Sequence, residues 1–250
     1  MRATPERPEE PRMRTSTVEI RTPDGTMPAH LAEPEGRGPF PAVVVLMEAF
    51  GLVPHIRNVA DRLAGEGYVA LAPDMFHREL PDNKASYDDV PRGMKLMGAL
   101  VGRGEKFLED VTAALDFLEA RPEVHRGRIG VTGFCMGGAL TFATACLIPE
   151  RIAAAAPFYG GGIVNLLPRA DRISCPLYLF FGEKDAFIPL DQVQRIEARL
   201  AELGKTFHCK VYPGADHGFF CEERASYHAE AAADAWRELT RFFARHLKRS

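Results

Sequence analysis

Cys135, Asp185 and His217 are far apart in this sequence, yet their side chains have complementary chemistry. A thiol can attack an acyl carbon, an imidazole can take and return a proton, and a carboxylate can fix the imidazole's tautomer. Cys135 is central to Gly133-Phe134-Cys135-Met136-Gly137, between an apolar run ending at Thr132 and a small-residue stretch continuing through Phe142 and Ala145. A Gly-x-Cys-x-Gly turn between a strand and a helix has the form of a nucleophile elbow. The central residue takes a sharp, strained turn, so the residues two positions away must lack a Cβ. The thiol then projects at a helix N-terminus, where the dipole favours a thiolate and a neighbouring oxyanion. The competing reading is a glycine-rich turn holding a buried, inert cysteine, because free cysteine is among the most buried residue types.

The order of partners along the chain separates these readings. Nucleophile, acid and histidine occur here as Cys135, Asp185 and His217, an order already known for such elbows. Asp185 closes Gly182-Glu183-Lys184-Asp185, and His217 lies in Pro213-Gly214-Ala215-Asp216-His217-Gly218. Glu183 and Asp216 are rival acids. Asp185 is favoured because it lies deeper in its turn and because a residue adjacent to the histidine points its side chain elsewhere. Histidines 30, 55, 77, 125, 208, 228 and 246 lack such a setting and read as packing or surface residues. His208, Cys209, His217 and Cys221 match no zinc-ligand spacing, so no metal is expected. Glu48 directly follows six apolar residues, where an unpaired charge is costly. It is either a structural partner of an arginine or a group near the thiol that controls its protonation.

The elements that must position these groups alternate. Two short strands, Thr17 to Ile20 and Met27 to Leu31, flank Pro23-Asp24-Gly25 as an edge hairpin. Buried strands are expected at residues 42–47, 68–72, 128–132, 152–158, 177–181 and 207–212. Helical spacing runs through residues 54–64, 105–121, 190–203 and 227–247. Residues 75–104 have no clear period and read as a long irregular pocket wall or lid. The alternation predicts an α/β fold, a mostly parallel doubly wound sheet flanked by helices. Ligands in such folds bind beyond the carboxyl ends of the strands, which is where Glu48, Asp74, Cys135, Tyr159, Asp185 and His217 fall.

Composition narrows the class. A chain of 250 residues suits one domain, here residues 16–250 after a flexible tail at residues 1–15. Net charge is −3 with both signs mixed, which gives no nucleic-acid surface. Five cysteines without paired spacing read as reduced thiols in a cytoplasmic setting. No apolar run is long enough to span a membrane, and the first 14 residues lack a secretory apolar core.

The chain resembles the dienelactone hydrolase family of α/β-hydrolases, which open the ring of 4-carboxymethylenebut-2-en-4-olide. The resemblance covers about residues 16–248. It is carried by Gly133-Phe134-Cys135-Met136-Gly137-Gly138, Glu48-Ala49-Phe50-Gly51, Ala72-Pro73-Asp74-Met75-Phe76-His77-Arg78, Gly182 to Pro189 and Gly214-Ala215-Asp216-His217-Gly218-Phe219. It implies Cys135 as nucleophile, His217 as base and Asp185 as orienting acid. By resemblance, Glu48 holds the resting thiol and releases it towards His217 when substrate binds. The oxyanion hole would be the backbone N–H groups of Ala49 and Met136. Arg78 would grip a substrate carboxylate; otherwise it is a solvated surface arginine. The family's second carboxylate-binding arginine falls on Cys221 here, with Arg224 nearby.

The expectation is a cofactor-free hydrolase of lactones or small carboxylic esters, monomeric or a small homo-oligomer, working through a thioester acyl-enzyme. Phe50, Phe76, Tyr159 and Phe219 are expected to line its substrate pocket from their strand-end positions. A generic carboxylesterase on the same site is the first alternative. A non-catalytic binding protein on the scaffold is the second. A papain-like protease is excluded because its cysteine signature is absent.

Overall fold

The computed structural model describes residues 13–248. Its eight strands are β1 (Met13–Thr22), β2 (Gly25–Pro34), β3 (Phe40–Leu46), β4 (Val69–Pro73), β5 (Val124–Phe134), β6 (Ala154–Phe158), β7 (Leu177–Gly182) and β8 (Phe207–Tyr212). They form one sheet in the order β1-β2-β4-β3-β5-β6-β7-β8. The β1–β2 and β2–β4 pairs are antiparallel, and every later pair is parallel. Six helices cover it: α1 (Pro54–Gly65), α2 (Val90–Val101), α3 (Phe107–Glu119), α4 (Met136–Leu147), α5 (Leu190–Glu202) and α6 (Ala229–Phe243). The last turn after α6, Ala244–Lys248, is π-helical.

Central strands are buried on both faces, which explains their unbroken apolar runs. Val44 of β3 pairs with Leu71 of β4 on one side and Val131 of β5 on the other, and all three side chains are excluded from solvent. The hairpin of β1 and β2 turns through Pro23-Asp24, the two residues between the paired Thr22 and Gly25. Parallel crossovers bring the ends of β3 to β8 to one edge. Side chains distant in sequence, among them Cys135, Asp185 and His217, meet there.

Two expectations need correction. The stretch 75–104 is not irregular throughout, because it contains α2. Asp89 caps that helix by accepting the Arg92 N–H at 3.2 Å, and Pro91 occupies its first turn. The helix escapes periodicity analysis because Gly93 and Gly98 dilute a stripe whose buried members are Gly93, Leu96 and Leu100. A Cβ on Gly93 would stand 3.1 Å from the Phe50 ring, so α2 lies close over that residue. A 3₁₀ helix, Ile163–Arg172, likewise fills a stretch without a predicted element. The expected tail 1–15 is also shorter, since Met13 already opens β1; residues 1–12 lie outside the described residues.

Candidate active site

The site begins at the turn between β5 and α4. Cys135 has φ +54° and ψ −114°, a conformation that L-residues rarely adopt and that strand-to-helix elbows impose. The flanking glycines are required by close approach. A Cβ on Gly133 would fall 2.3 Å from the Gly137 carbonyl oxygen, and one on Gly137 would fall 2.2 Å from the Leu46 oxygen. α4 therefore packs directly against the end of β3, which places Cys135 beside Glu48 and Ala49.

His217 and Asp185 come from the loops after β8 and β7. The His217 Nδ1 is 2.8 Å from Asp185 Oδ2, and both residues are buried. The other oxygen, Asp185 Oδ1, accepts the N–H groups of Phe187 and Ile188 at 2.9 and 3.1 Å. The carboxylate is thus locked with one oxygen aimed at the ring. The rival acids are occupied elsewhere: Glu183 accepts the Gly214 N–H at 2.7 Å, and Asp216 accepts the His217 backbone N–H at 2.6 Å. Burial disfavours the charged imidazole, but hydrogen bonds to Asp185 and to Cys135 outweigh it and lift the His217 pKa to about 10. Cys135, His217 and Asp185 consequently form one hydrogen-bonded chain, an arrangement able to move a proton between sulfur and imidazole.

Glu48 is wholly buried, and its charge is matched. Oε2 accepts the Tyr87 hydroxyl at 2.8 Å, and Oε1 accepts from Arg224 Nη1 at 3.3 Å. Its hydrogen bonds are therefore to Tyr87 and Arg224, while the thiol is bonded to His217. The Arg224 guanidinium also lies 5.6 Å from the Phe50 ring centre and 5.8 Å from that of Tyr87, within cation–π range. Cys221 is buried against Tyr87 and Glu48, and burial pushes its thiol up to about 12. It stays a neutral thiol rather than a second anion.

A cavity of about 290 Å³ opens against this constellation, lined in part by Tyr87, Phe187, Asp216, His217, Glu223 and Arg224. A larger cleft of about 670 Å³ lies between β1 and α3 and contains none of the site residues. Phe50 packs against Tyr87 with ring centres 4.7 Å apart, and Tyr159 meets His217 edge to face at 5.1 Å. Phe219 lies behind Tyr159 at 5.4 Å, fully buried. Phe76 is also fully buried, its N–H bonded to Asp74, and it lines none of the 290 Å³ cavity.

Two N–H groups could receive an oxyanion. That of Met136, the first residue of α4, has no acceptor within the helix. That of Ala49 makes no turn or loop backbone bond among the described residues.

Arg78 is not brought to the thiol. Its guanidinium binds Asp24 at 2.7 and 2.8 Å and the buried Asp110 at 2.6 and 3.0 Å. It fastens the β1–β2 turn to α3, because one guanidinium bridges Asp24 of the turn and the solvent-excluded Asp110 of the helix. Sequence reasoning missed Tyr87 and Phe187. Tyr87 sits in a segment without period, and its only signal was that segment's length. Phe187 follows Asp185 by two residues and is the most exposed large apolar side chain described, at 74%.

An eight-stranded, mostly parallel sheet with a cysteine elbow after its fifth strand and a buried Asp–His pair after its seventh and eighth defines an α/β-hydrolase. The profile of the Dienelactone hydrolase family matches residues 27–247. A Synechocystis sp. protein named "Putative carboxymethylenebutenolidase" is 38% identical, over 93% of this chain and 100% of its own length. A crystal structure of a "Putative Dienelactone Hydrolase" from Klebsiella pneumoniae superposes with a TM-score of 0.84 at 34% identity, covering 94% of this chain and all of that one. A "Dienelactone Hydrolase-like Promiscuous Phospotriesterase" from metagenomic libraries gives a TM-score of 0.81 at 25% identity, over 94% and 98%. The chain belongs to the dienelactone hydrolase family and is a hydrolase of that type. No helix among the described residues is long and apolar enough to cross a membrane.

Proposed function

We propose that this hydrolase cleaves lactones or small carboxylic esters, preferentially anionic ones, through a thioester on Cys135. The observation that carries the reading is the chain of contacts from the strained Cys135 through His217 to the doubly anchored Asp185. His217, hydrogen-bonded to Cys135 on one side and held by Asp185 on the other, takes the thiol proton, and sulfur attacks as thiolate. An S–C bond forms at the carbonyl carbon, and the developing oxyanion takes the N–H groups of Ala49 and Met136. Each such donor is worth roughly 3–4 kcal/mol of transition-state stabilisation. Collapse expels the alkoxide, which takes the His217 proton. In a lactone this alkoxide remains attached to the acyl group. Water then attacks the thioester, its proton passing to His217, and the C–S bond breaks to release the acid.

Arg224 is the cation placed to hold a substrate carboxylate, since it lines the cavity beside His217 and, among the described residues, forms its salt bridge with Glu48. Glu48 in turn keeps the unliganded Arg224 neutralised and oriented. The substrate is therefore a small carboxylate-bearing lactone or ester, with Arg78 reserved for the fold.

Single-turnover mass spectrometry with dienelactone and with an activated ester tests the mechanism. A transient acyl mass on Cys135, absent from Cys135→Ala, is expected. Turnover by Cys135→Ala at the wild-type rate would dismiss it.

A further inference from the structure

Helix α2 carries two apolar faces. The buried one, Gly93, Leu96 and Leu100, packs onto the body of the molecule. The other, Val90, Met94, Met97 and Val101, recurs at spacings of four, three and four residues. At about 100° per residue these four side chains fall within roughly 60° of one another, about 100° round the helix from the buried set. They face solvent: Val90 and Met94 are each 51% exposed and Val101 is 61% exposed, while Met97 is partly packed against the core. Leu80, 53% exposed, lies at the same end as Val101, because its neighbour Glu79 is bonded to Arg103 just past the helix. Eight large apolar side chains are exposed among the described residues, and four of them belong to this one patch. Single exposed apolar residues need no explanation, but a contiguous patch marks a surface that binds something.

The stripe has the same form read in either direction: valine at both ends, methionine at both inner positions, and the same spacings. Such a surface is self-complementary about a twofold axis, where residue i of one copy meets j of the other and j meets i. The charges share this symmetry. Asp88 and Asp89 precede the helix, Arg103 and Lys106 follow it, and no acidic residue lies between Val90 and Val101. In an antiparallel pair, the register that sets Met94 against Met97 and Val90 against Val101 also brings Asp88 level with Arg103. Each end then joins opposite charges, which also complement the dipoles of the two helices.

We propose that α2 is the docking surface for a second copy of this chain, with the two helices antiparallel about a twofold axis passing between Lys95 and Leu96. The helix has 12 residues and is about 18 Å long. One helix pair of that length covers less than the roughly 1,200 Å² at which standard interfaces begin. The dimer is therefore reversible, with a Kd on the order of 1–100 μM. Tyr87 and Asp88 line the cavity beside His217, so the interface reaches the mouth of the active site and places the second copy's Arg103 there. In the paired form the Asp88 charge on the cavity rim is met by that cation.

Sedimentation velocity of the full chain from about 1 to 200 μM is the first test, and the mean mass should rise from that of one chain towards twice that. Met94→Asp sets two carboxylates beside the axis and should weaken association about tenfold or more. Its melting temperature should match the wild type, because the side chain is half exposed and lines none of the cavity. Val101→Asp, at the other end of the stripe, gives the same reading should Met94→Asp misfold. Val90→Cys and Val101→Cys test the direction of pairing. Like ends stand roughly 16 Å apart along the antiparallel pair, too far for a disulfide, whereas position 90 of one copy meets position 101 of the other. Oxidation with copper phenanthroline should therefore cross-link the equimolar mixture and leave each variant alone at the wild-type background. A wild type that stays monomeric throughout would overturn the inference. So would a dimer that both aspartate variants leave intact, or Val90→Cys cross-linking alone as well as the mixture does. A monomer that binds phosphatidylglycerol vesicles, and loses that binding in Met94→Asp, would assign the stripe to a lipid surface and refute the dimer.

Discussion

Replacing Asp185 by Asn tests the site with almost no change of volume. Two backbone N–H groups, from Phe187 and Ile188, point at Asp185 Oδ1 from 2.9 and 3.1 Å. In the variant they must be met by the amide oxygen, which forces the NH₂ group into the place of Oδ2, 2.8 Å from His217 Nδ1. Donor facing donor is repulsive, so the ring must shift its proton to Nε2 and accept at Nδ1. A neutral ring with hydrogen on Nε2 cannot take the thiol proton. The same substitution in a serine-based triad costs about 10⁴ in rate, which corresponds to about 5.5 kcal/mol in the barrier. The variant should fold, because both backbone anchors survive. The assay is kcat/KM for an activated ester at pH 7, with thermal melting as the control. Glu183→Gln should stay within about twofold of wild type, since Glu183 serves only the Gly214 N–H on an exposed face. If Asp185→Asn keeps more than about a tenth of the activity, or if Glu183→Gln loses more than it does, the orienting acid has been misidentified.

Gly137→Ala places a Cβ 2.2 Å from the Leu46 oxygen. Since backbone must move on both sides, a loss of roughly 3 kcal/mol or more in urea unfolding is expected, and wild-type stability would contradict the packing described. Arg78→Ala leaves the solvent-excluded Asp110 with only His77 beside it. It should cost roughly 3–5 kcal/mol of stability while leaving KM unchanged, whereas a raised KM at full stability would return Arg78 to substrate binding. His217 has a raised folded-state pKa of about 10 against an ordinary value of 6.5. The stability it contributes is therefore complete below about pH 6.5, declines as pH rises, and is gone above about pH 10. Urea titrations of wild type and His217→Asn should differ more at pH 6 than at pH 10, and a difference that grows with pH would reverse the sign of the argument.

One buried charge pair, Glu48 with Arg224, lies at the site. Glu48 with no solvent contact would be expensive alone. Its hydrogen bonds from Tyr87 and Arg224 make it tolerable, and they join three separate segments: the end of β3, the stretch before α2, and the loop after His217. On the proposed function, removing the Arg224 charge should have two effects, loss of substrate affinity and an unmatched Glu48 charge. They can be separated by comparing KM with melting temperature.

The linear chain already determines a good deal here. Periodicity gives the strand and helix order because central strands buried on both faces must be apolar throughout, as residues 42–47 are, and because amphipathic helices must repeat near 3.6. The elbow is legible for a steric reason: only glycine fits at 133 and 137 when α4 packs onto the Leu46 backbone. The order Cys135, Asp185, His217 follows from strand ends converging on one edge. What remains is decided by side-chain direction and pairing across the fold, which linear spacing does not encode. Arg78 lies at the expected strand end, yet its guanidinium goes to Asp24, 54 residues away, and to Asp110, 32 residues away. Arg224 reaches Glu48 across 176 residues. Helix α2 approaches Phe50 closely at Gly93, and Tyr87, in the stretch before it, reaches Glu48 across 39 residues. Charges pair with whichever partner the fold brings within hydrogen-bond reach, and for Arg78 and Arg224 those partners lie 32 to 176 residues away.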